Sequence, residues 1–317
     1  MTKPILSIVV PTREGLPEYW IETFFKIKGD VELILVHPPG MKKIPVSDSR
    51  VQQINSTFRG EIIQRMTGLM NASGEYILTV NCDEFLYPDI AEITRQYFTK
   101  FPDSLVLRLN RKDVKYGDEA GLKSHWQPIS NVDDMHICGV RTGDQNLQEQ
   151  PNYMVEIPIA PLHNKFDPLC ILRGRQDHQG WHTENFDKKI WKNEIVQATL
   201  ADIRDAMILS GPFKYFPFWC LDRLLGLSIQ AKYYEPEKII GHKLPKPEQI
   251  RIEDNPPEYR RTKRFYVFAE LLLLKKFPQY GYLWNLILAQ FADIPVRAIS
   301  SLNRRLSEQK MQKITNG

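Results

Sequence analysis

The sequence predicts an α/β protein whose core is an open, mostly parallel β-sheet flanked by helices. In the first half of the chain, short apolar runs alternate with segments of helical periodicity, as in parallel sheets covered by helices. The 317 residues are 42% hydrophobic, which is enough for one large core with an appendage. In the last third the apolar residues follow helical spacing. We therefore expect a sheet domain over residues 1–193 and a helical region over residues 194–317.

Apolar runs bounded by turn residues predict the strands of this sheet. Residues 19–26 and 58–73 lie between these runs and have helical spacing, and Gly74 suits the end of the second helix. Further along, a strand centred on Leu169 to Leu172 is expected to lead into a polar hairpin. The predicted strands of the first half are ILSIVVPT (5–12), VELILVHPPG (31–40), YILTVN (76–81) and SLVLRLNRKDVKY (104–116).

After Trp191 the pattern becomes helical, with an amphipathic segment over residues 195–209 and an aromatic one over residues 216–234. The charged, proline-rich stretch over residues 241–264 is interpreted as a linker. Two apolar stretches follow, separated by Pro278 and Gly281. Their Trp, Tyr and flanking basic residues fit a membrane interface, or a helical hairpin packed on the sheet domain or on a second subunit.

Composition excludes several classes of protein. The 42 Lys and Arg against 38 Asp and Glu give a net charge of +4, which suits an anionic ligand or a membrane surface rather than nucleic acid. Cys82, Cys138, Cys170 and Cys220 form no CxxC pair, which argues against a zinc knuckle or a disulfide framework. The N-terminal apolar run is too short for a signal peptide, and no segment reaches the ~18 to 20 apolar residues of a membrane span. We expect a cytoplasmic protein, with the inner face of the membrane as a second location.

The stretch VNCDEFLYP, residues 80–88, ends a buried strand with two adjacent carboxylates. Ligands in open α/β sheets bind beyond the carboxyl ends of the strands, where Asn81 to Glu84 would lie. Two interpretations are open. Asp83 and Glu84 either face a binding cleft or begin a solvated turn before Pro88.

The surrounding block, QRMTGLMNASGEYILTVNCDEFLYPD over residues 64–89, resembles the central block of the family 2 glycosyltransferases, which have the GT-A fold. In that family an Arg-containing helix leads through Gly-Leu and Ala-x-Gly-Glu-Tyr into a strand ending in Asp-x-Asp-Asp or Asp-x-Asp-Glu, with a proline four residues later. SIVVPT resembles the family's first strand, and the resemblance covers residues 5–90. The matching residues are Arg65, Gly68, Leu69, Ala72, Gly74, Glu75, Tyr76, Asp83, Glu84 and Pro88.

The resemblance implies that residues 1–193 are a catalytic domain of the GT-A type. It implies an inverting transferase that moves a sugar from a nucleoside-diphosphate sugar to a hydroxyl acceptor, in cell-surface polysaccharide or glycan synthesis. A divalent cation, Mn²⁺ or Mg²⁺, would neutralise charge on the departing diphosphate. By resemblance, Asp83 is a metal ligand or ribose contact, Glu84 a second ligand, and Arg65 a diphosphate or base contact. The implied nucleotide-sugar contacts are Pro11, Thr12, Arg13, Glu14, His37, Arg65, Asn81, Cys82 and Asp83.

Two positions depart from the family's pattern. Asn81 stands where the family has its first carboxylate, and an amide oxygen binds a cation only weakly. The second strand ends in His37, Pro38, Pro39 and Gly40, where the family has an aspartate that contacts the base. The imidazole of His37 could stack on a base or hydrogen-bond to it, or it could simply be solvated.

An inverting transferase needs a carboxylate to take the proton of the acceptor hydroxyl. Asp133 and Asp134, in the polar stretch HWQPISNVDDMHICGV, are candidates for this base, and capping residues of a surface loop are the alternative. Glu184 is a third candidate.

Residues 164–185 resemble a distal segment of several GT-A subfamilies, in which Gly-x-His supplies a histidine to the metal or diphosphate. His182, two residues after Gly180, fits that place best, and His178 is the near alternative. An imidazole ligand beside Asp83 would favour Mn²⁺ over Mg²⁺. Both histidines could instead be partly buried loop residues.

Three classes of function follow from the sequence. The first is a metal-dependent glycosyltransferase, with a nucleotide sugar, a hydroxyl acceptor, no nucleic acid, and a membrane surface or second copy as further partners. A nucleotidyltransferase is the second, although PTREG lacks the usual glycine-rich phosphate loop. The third is a sugar- or nucleotide-binding module without catalysis, which Asn81 and the missing base-binding aspartate favour.

Overall fold

The computed structural model describes residues 3–16, 18–139, 150–177, 182–208, 218–257 and 267–294. The chain divides into two compact units, residues 1–160 with 181–263 and residues 161–180 with 264–317. These ranges differ from the predicted division after residue 193, because two strands beyond that point belong to the first unit.

The elements are numbered in chain order. The strands of the described ranges are β1 (Leu6–Pro11), β2 (Val31–His37), β3 (Val51–Asn55), β4 (Tyr76–Thr79), β5 (Glu84–Leu86), β6 (Val106–Arg108), β7 (Arg111–Val114), β8 (His136–Cys138), β9 (Tyr153–Pro158), β10 (Lys189–Lys192), β11 (Ile239–Lys243) and β12 (Ile250–Glu253). The helices there are α1 (Glu18–Phe24), α2 (Glu61–Asn71), α3 (Ile90–Lys100), α4 (Glu119–Lys123), α5 (Cys170–Arg173), α6 (Asn193–Ile208), α7 (Phe218–Lys232), α8 (Val267–Lys276) and α9 (281–294).

The first unit is built on a nine-stranded sheet with the order β3-β2-β1-β4-β10-β6-β11-β9-β8. Strand β1 pairs in parallel with β2 and β4, and five of the eight pairings within this sheet are parallel. Every residue of β1 and β4 is buried, as expected for strands that helices cover on both faces. The predicted α/β class with a mostly parallel sheet flanked by helices is confirmed.

The order of the strands reverses between β1 and β4. The chain passes from β1 outward to β2 and β3 and then returns to place β4 on the other side of β1. In open α/β sheets such a reversal leaves a crevice beyond the carboxyl ends of the two strands, where ligands bind. Residues 12–14 follow β1 and residues 80–83 follow β4, so both segments border this crevice.

Helix α2 lies close against β1 and β2 because Gly68 has no side chain. A Cβ atom at Gly68 would lie 2.3 Å from Cγ1 of Val9 and 3.0 Å from Cγ2 of Val36. Packed interiors do not accept such an atom without displacement of their neighbours. The close packing holds Arg65, one turn before Gly68, beside the end of β4.

The loop that carries Asp83 is fixed by a second, three-stranded sheet with the order β5-β12-β7. Strand β5 begins at Glu84 and pairs with β12, and the backbone N–H of Glu253 donates to the carbonyl of Asp83 at 3.0 Å. The indole N–H of Trp20 donates to the carbonyl of Glu84 at 2.9 Å. The backbone of residues 83–84 is therefore held from both sides.

Three sequence-based predictions of secondary structure are wrong. The strand predicted around Leu169 to Leu172 is the short helix α5, because the Asp167 carboxylate accepts the N–H of Leu169 and so begins a helical turn, and Gly174, at φ 75°, ends it. The strand predicted over residues 104–116 is two strands, β6 and β7, which belong to different sheets. The predicted linker over residues 241–264 contributes to β11 and β12, one in each sheet.

The helices of the described ranges include none that is both long and apolar enough to cross a bilayer.

Acidification is expected to destabilise the first unit through His242 on β11. This side chain is 5% exposed, and burial lowers its pKa to about 4, while its Nδ1 lies 2.9 Å from the hydroxyl of Tyr97. As the pH falls below about 6.5 the unfolded chain binds a proton at His242, whereas the folded protein binds one only near pH 4, so folding stability falls across that window by about 3 kcal/mol. Urea unfolding as a function of pH measures the loss. The His242→Gln variant, which cannot titrate, should lose correspondingly less, and an identical pH dependence in both proteins would contradict the assignment.

Candidate functional site

The crevice beyond β1 and β4 contains a half-buried carboxylate, Asp83, with an unusual environment. Its Oδ1 atom is buried and has no hydrogen-bond partner among the described residues. Burial raises the pKa of Asp83 above its usual range, and the nearby charges of Lys188, Arg13 and Arg65 oppose that shift. A buried carboxylate oxygen without a partner is costly to a folded protein, so such atoms are characteristic of sites that serve a ligand.

Glu84, the neighbour of Asp83, is buried inside the protein. Its side chain is 1% exposed, and its carboxylate accepts the backbone N–H of Asn81 at 2.9 Å and the Asn81 side-chain amide at 3.1 Å. The ammonium of Lys188 lies 3.0 Å from the same carboxylate. Burial and then the charge of Asp187 raise the pKa of Glu84, which Lys188 opposes. The prediction that Glu84 binds a metal ion does not fit this placement, because its oxygens are already occupied inside the protein.

Asn81 connects Glu84 to Arg65. Its side-chain oxygen accepts a hydrogen bond from the Arg65 guanidinium, and its side-chain N–H donates to Glu84. An aspartate here could accept from Arg65 but could only repel Glu84, since an ionised carboxylate has no donor. The departure from the family's pattern thus has a physical reason in this chain. The same bonds occupy the amide, so the predicted contact of Asn81 with a nucleotide sugar requires these bonds to rearrange.

Arg65 lies fully buried beneath the crevice. Besides its bond to Asn81, its guanidinium lies 3.5 Å from the carboxylate of Glu61 on the same helix and 3.6 Å from that of Asp187. Burial raises the pKa of Glu61, and the Arg65 charge opposes this. Arg65 is therefore held by hydrogen bonds to Asn81 and Glu61 and by the nearby charge of Asp187, and its own charge acts on Asp83. Its contact with a diphosphate or base stays a prediction.

The segment before β10 brings a second set of charges to this end of the sheet. Antiparallel pairing of β10 with β4 places residues 187–189 beside Thr79, whose hydroxyl donates to Asp187 at 3.0 Å. The N–H of Asp187 donates to Asp222 on α7 at 2.5 Å, and burial, followed by the charge of Asp187, raises the pKa of Asp222. Burial lowers the pKa of Lys189 to about 8, and its ammonium donates to the carbonyls of Asn185 and Asp187.

Lys188 adopts a backbone conformation that is rare for its residue type. Its φ is 60°, in the left-handed region that non-glycine residues seldom occupy. The conformation directs its side chain to Glu84, and the side chain is 31% exposed. Backbone strain of this kind persists only where neighbouring structure imposes it, and it is concentrated at functional sites.

Arg13 and Glu14 directly follow β1, and both are exposed. The residue before them, Thr12, is held by a buried contact with His37. His37 is fully buried, with Nδ1 2.6 Å from the Thr12 hydroxyl and Nε2 2.8 Å from Oε1 of Gln53. Since Gln53 Oε1 can only accept, Nε2 carries the proton and the Thr12 hydroxyl donates to Nδ1. The predicted contact of His37 with a nucleotide base is replaced by this supporting role.

Three other predicted nucleotide contacts have buried side chains. Pro11 is part of β1, Thr12 is 3% exposed, and Cys82 belongs to the hydrophobic core. Burial raises the pKa of the Cys82 thiol. These residues can meet a ligand only through their backbone, so the members of the predicted set with exposed or half-buried side chains are Arg13, Glu14, Asn81 and Asp83.

The structure does not bring Asp133 and Asp134 to Asp83. They lie in a surface 3-10 turn, Val132–Asp134, whose carbonyls accept hydrogen bonds from Lys100 at the end of α3. The turn leads into β8, the edge strand, five strands from β4. At about 4.8 Å per strand this is roughly 24 Å, too far for a shared catalytic step. Their backbone geometry is that of a capped loop, the alternative interpretation of the sequence.

Among the distal candidates, Glu184 forms an ion pair with Arg223 on α7. His182 is half-buried, and His178 lies outside the described residues. Within the ranges that the structure describes, no three His, Cys, Asp or Glu side chains form a group that could hold a metal ion. Mg²⁺ and similar cations are often bound by one or two carboxylates together with substrate phosphates. Asp83 fits that arrangement, and a cation held by protein ligands alone does not fit the described residues.

Comparison with known proteins gives structural likeness only. No protein-family model matches the chain, and no curated protein matches it. The chain is similar to the crystal structure of S. aureus TarS 1–349 in complex with UDP-GlcNAc, with 15% identity, a TM-score of 0.48, and coverage of 93% of this chain and 73% of that one. It is similar to TarS 1–349 with UDP at 15% identity and a TM-score of 0.46, covering 87% and 66% of the two chains. A longer TarS structure has 12% identity and a TM-score of 0.48, and this chain covers 40% of it. At these identities and TM-scores the likeness does not extend to individual residues or to substrates.

Three charged residues of the site were missed in the sequence: Glu61, Asp187 and Lys188. Glu61 lies one turn before Arg65 on a predicted helix, so its place beside Arg65 follows from helical spacing. Asp187 and Lys188 are brought in by the pairing of β10 with β4. One sequence feature could have indicated them: three consecutive charged residues, Asp187, Lys188 and Lys189, directly before a short apolar run.

Proposed function

We propose that this chain is an inverting glycosyltransferase that moves a sugar from a nucleoside-diphosphate sugar to a hydroxyl acceptor. The observation that carries the proposal is Asp83, a half-buried carboxylate with an unpartnered oxygen, at the point where the strand order reverses. Positive charge from Arg13, Arg65 and Lys188 surrounds it. A crevice of this kind suits a ligand with both phosphate oxygens and hydroxyl groups, and the resemblance of residues 64–89 narrows the choice to a nucleotide sugar.

The positive side chains have a defined task in this reaction. The acceptor oxygen attacks the anomeric carbon from the face opposite the diphosphate, a new C–O bond forms, and the bond to the diphosphate breaks with its electron pair. Negative charge grows on the leaving diphosphate, and preorganised cations stabilise it most in a site of low dielectric constant. Lys188 and Arg13 would contact the diphosphate, and buried Arg65 would support them from below.

The proton of the acceptor hydroxyl must pass to a carboxylate. Asp133 and Asp134 lie far from the crevice, and Glu184 is paired with Arg223. Glu61 and Asp187, which flank Arg65, are the carboxylates that the geometry favours instead.

A divalent cation, Mn²⁺ or Mg²⁺, remains part of the proposal. Asp83 would hold it together with diphosphate oxygens, and the cation would add Lewis-acid stabilisation of the leaving group. His182 remains the predicted additional ligand, and it would favour Mn²⁺.

The donor is expected to be found by a thermal-shift screen of nucleotide sugars, beginning with UDP-GlcNAc, in Mn²⁺ and in EDTA. A ligand that binds only the folded state at 100 times its Kd stabilises it by about 2.7 kcal/mol. Incubation of the stabilising α-linked donor with acceptors should release the nucleoside diphosphate and give a β-linked product, which NMR identifies.

Three outcomes of that experiment contradict the proposal in different ways. A product that keeps the anomeric configuration of the donor contradicts the inverting mechanism. Stabilisation without turnover on any acceptor supports a binding module. Release of pyrophosphate from a nucleoside triphosphate identifies a nucleotidyltransferase.

A further inference from the structure

The second unit, residues 161–180 and 264–317, carries an unusual density of exposed apolar side chains. It holds less than a quarter of the chain but two thirds of the large apolar side chains that are exposed among the described residues. Leu172 is 85% exposed, the most of any of them. Single exposed apolar residues need no explanation, but a concentration of them marks an interaction surface.

Five of these residues form what we call the apolar face: Phe166, Leu169, Leu172, Trp284 and Phe291. The rings of Phe166 and Trp284 meet edge to face, with centroids 6.3 Å apart. Trp284 and Phe291 are seven residues apart on α9, which places them on the same side of that helix. Leu169 and Leu172 border or belong to α5, a few residues after Phe166.

The two segments of the apolar face are fixed to each other by Asn285 on α9. Its side chain is buried, accepts the N–H of Asp167 at 2.7 Å, and donates to the carbonyl of Lys165 at 3.1 Å and to Asp177 at 2.9 Å. Gly281 allows α9 to lie close to the backbone of Phe166, since a Cβ at this position would lie 2.3 Å from the backbone nitrogen of Phe166. The two segments that carry the face are therefore packed against each other.

The same unit carries exposed basic residues. Lys165 precedes Phe166, Arg173 follows Leu172, and Lys275 and Lys276 end α8, all of them exposed. The unit has 11 Lys and Arg against 5 Asp and Glu, a net charge of +6, while the whole chain has +4. The positive charge of this protein is thus concentrated in the unit that also exposes the apolar residues.

This combination favours one class of partner. Interfaces between proteins are depleted in lysine, whereas surfaces that lie on membranes combine Trp, Phe and Leu with Lys and Arg. Apolar side chains enter the acyl boundary and long basic side chains reach the phosphates of the headgroups. We propose that the second unit binds the surface of an anionic phospholipid bilayer through the apolar face, with Lys165, Arg173, Lys275 and Lys276 contacting headgroup phosphates. The proposal does not depend on the function proposed for the first unit.

Co-sedimentation of the full chain with vesicles tests this proposal. The protein is expected to bind vesicles of phosphatidylcholine with about one-third phosphatidylglycerol, and to bind phosphatidylcholine alone much more weakly. Leu172→Ser should weaken binding by about 10-fold, because a large apolar side chain no longer enters the bilayer. Lys275→Gln combined with Lys276→Gln should weaken it by about 30-fold, and added salt should reduce the difference.

Tyr116→Ser is the matched control, since Tyr116 is 55% exposed but belongs to the first unit. It should bind vesicles as the wild type does, and unchanged thermal unfolding of all variants shows that the fold is kept. Absence of binding to anionic vesicles, or equal binding by Leu172→Ser and the wild type, overturns the proposal. A wild-type dimer that Leu172→Ser converts to a monomer, with no lipid binding by either, also overturns it and assigns the face to self-association.

Discussion

Asp83→Ala is expected to lower sugar transfer by at least about 10³-fold while leaving folding stability unchanged or slightly higher. The loss of activity follows because the carboxylate contacts the ligand, or the cation that the ligand brings, at the centre of the crevice. The stability result follows from the unpartnered Oδ1 atom and from burial, which raises the pKa of Asp83. A group whose pKa is raised on folding is less favourable as a charge in the folded state, so its removal does not destabilise the protein.

Asp83→Asn separates the effect of charge from that of shape. It keeps the size of the side chain and removes its charge, so transfer should fall nearly as far as in Asp83→Ala, and urea unfolding should give a stability equal to that of the wild type or up to about 1 kcal/mol higher. Asp89→Asn is the matched control, because Asp89 is half-buried and its side chain pairs with the exposed Lys28. Wild-type turnover by Asp83→Ala, or a marked loss of stability in Asp83→Asn, would show that Asp83 is structural.

The fold could be predicted where strands are buried on both faces. Strands β1, β2 and β4 are continuous apolar runs, and the sequence pattern predicted each of them. Strand β3, VQQIN, was missed because it lies at the edge of the sheet and is half-exposed, so it has no apolar run to detect. The last three residues of strand β11, IIGHK, were taken as part of a linker because Gly241, His242 and Lys243 follow only two apolar residues, although Gly241 is needed where a Cβ would lie 1.8 Å from the carbonyl oxygen of Val106.

The site could be predicted only where neighbours in the sequence are also neighbours in space. The position of Asp83 followed from the end of β4, and that of Arg65 from the helix before it. The different surroundings of Asp83 and Glu84 were not predictable, because they depend on Lys188 and on β12, which come much later in the chain. The bridging role of Asn81 was hidden for the same reason, since a substitution of Asp by Asn suggests loss of function until its partners Arg65 and Glu84 are seen.

Lys188→Met is expected to lower transfer by about 10²-fold and also to destabilise the protein. The ammonium lies 3.0 Å from Glu84 and its charge acts on Asp83, so it is well placed to stabilise the leaving diphosphate. The stability loss, about 2 kcal/mol, arises because Glu84 is left buried without its positive partner. Lys28→Met, at an exposed surface ion pair, is the control. It should leave sugar transfer unchanged and alter the free energy of unfolding by no more than about 0.5 kcal/mol.

The two roles of Lys188 are separable by combining Lys188→Met with Glu84→Gln. The uncharged glutamine needs no counter-charge and can still accept the N–H of Asn81, so the double variant should recover most of the lost stability. If Lys188 binds the diphosphate, transfer by the double variant stays low, and its KM for the nucleotide sugar stays high. Recovery of transfer together with stability would instead show that Lys188 acts only through Glu84. A double-mutant cycle that measures both unfolding free energy and kcat/KM therefore distinguishes a residue that binds the donor from one that only completes a buried ion pair.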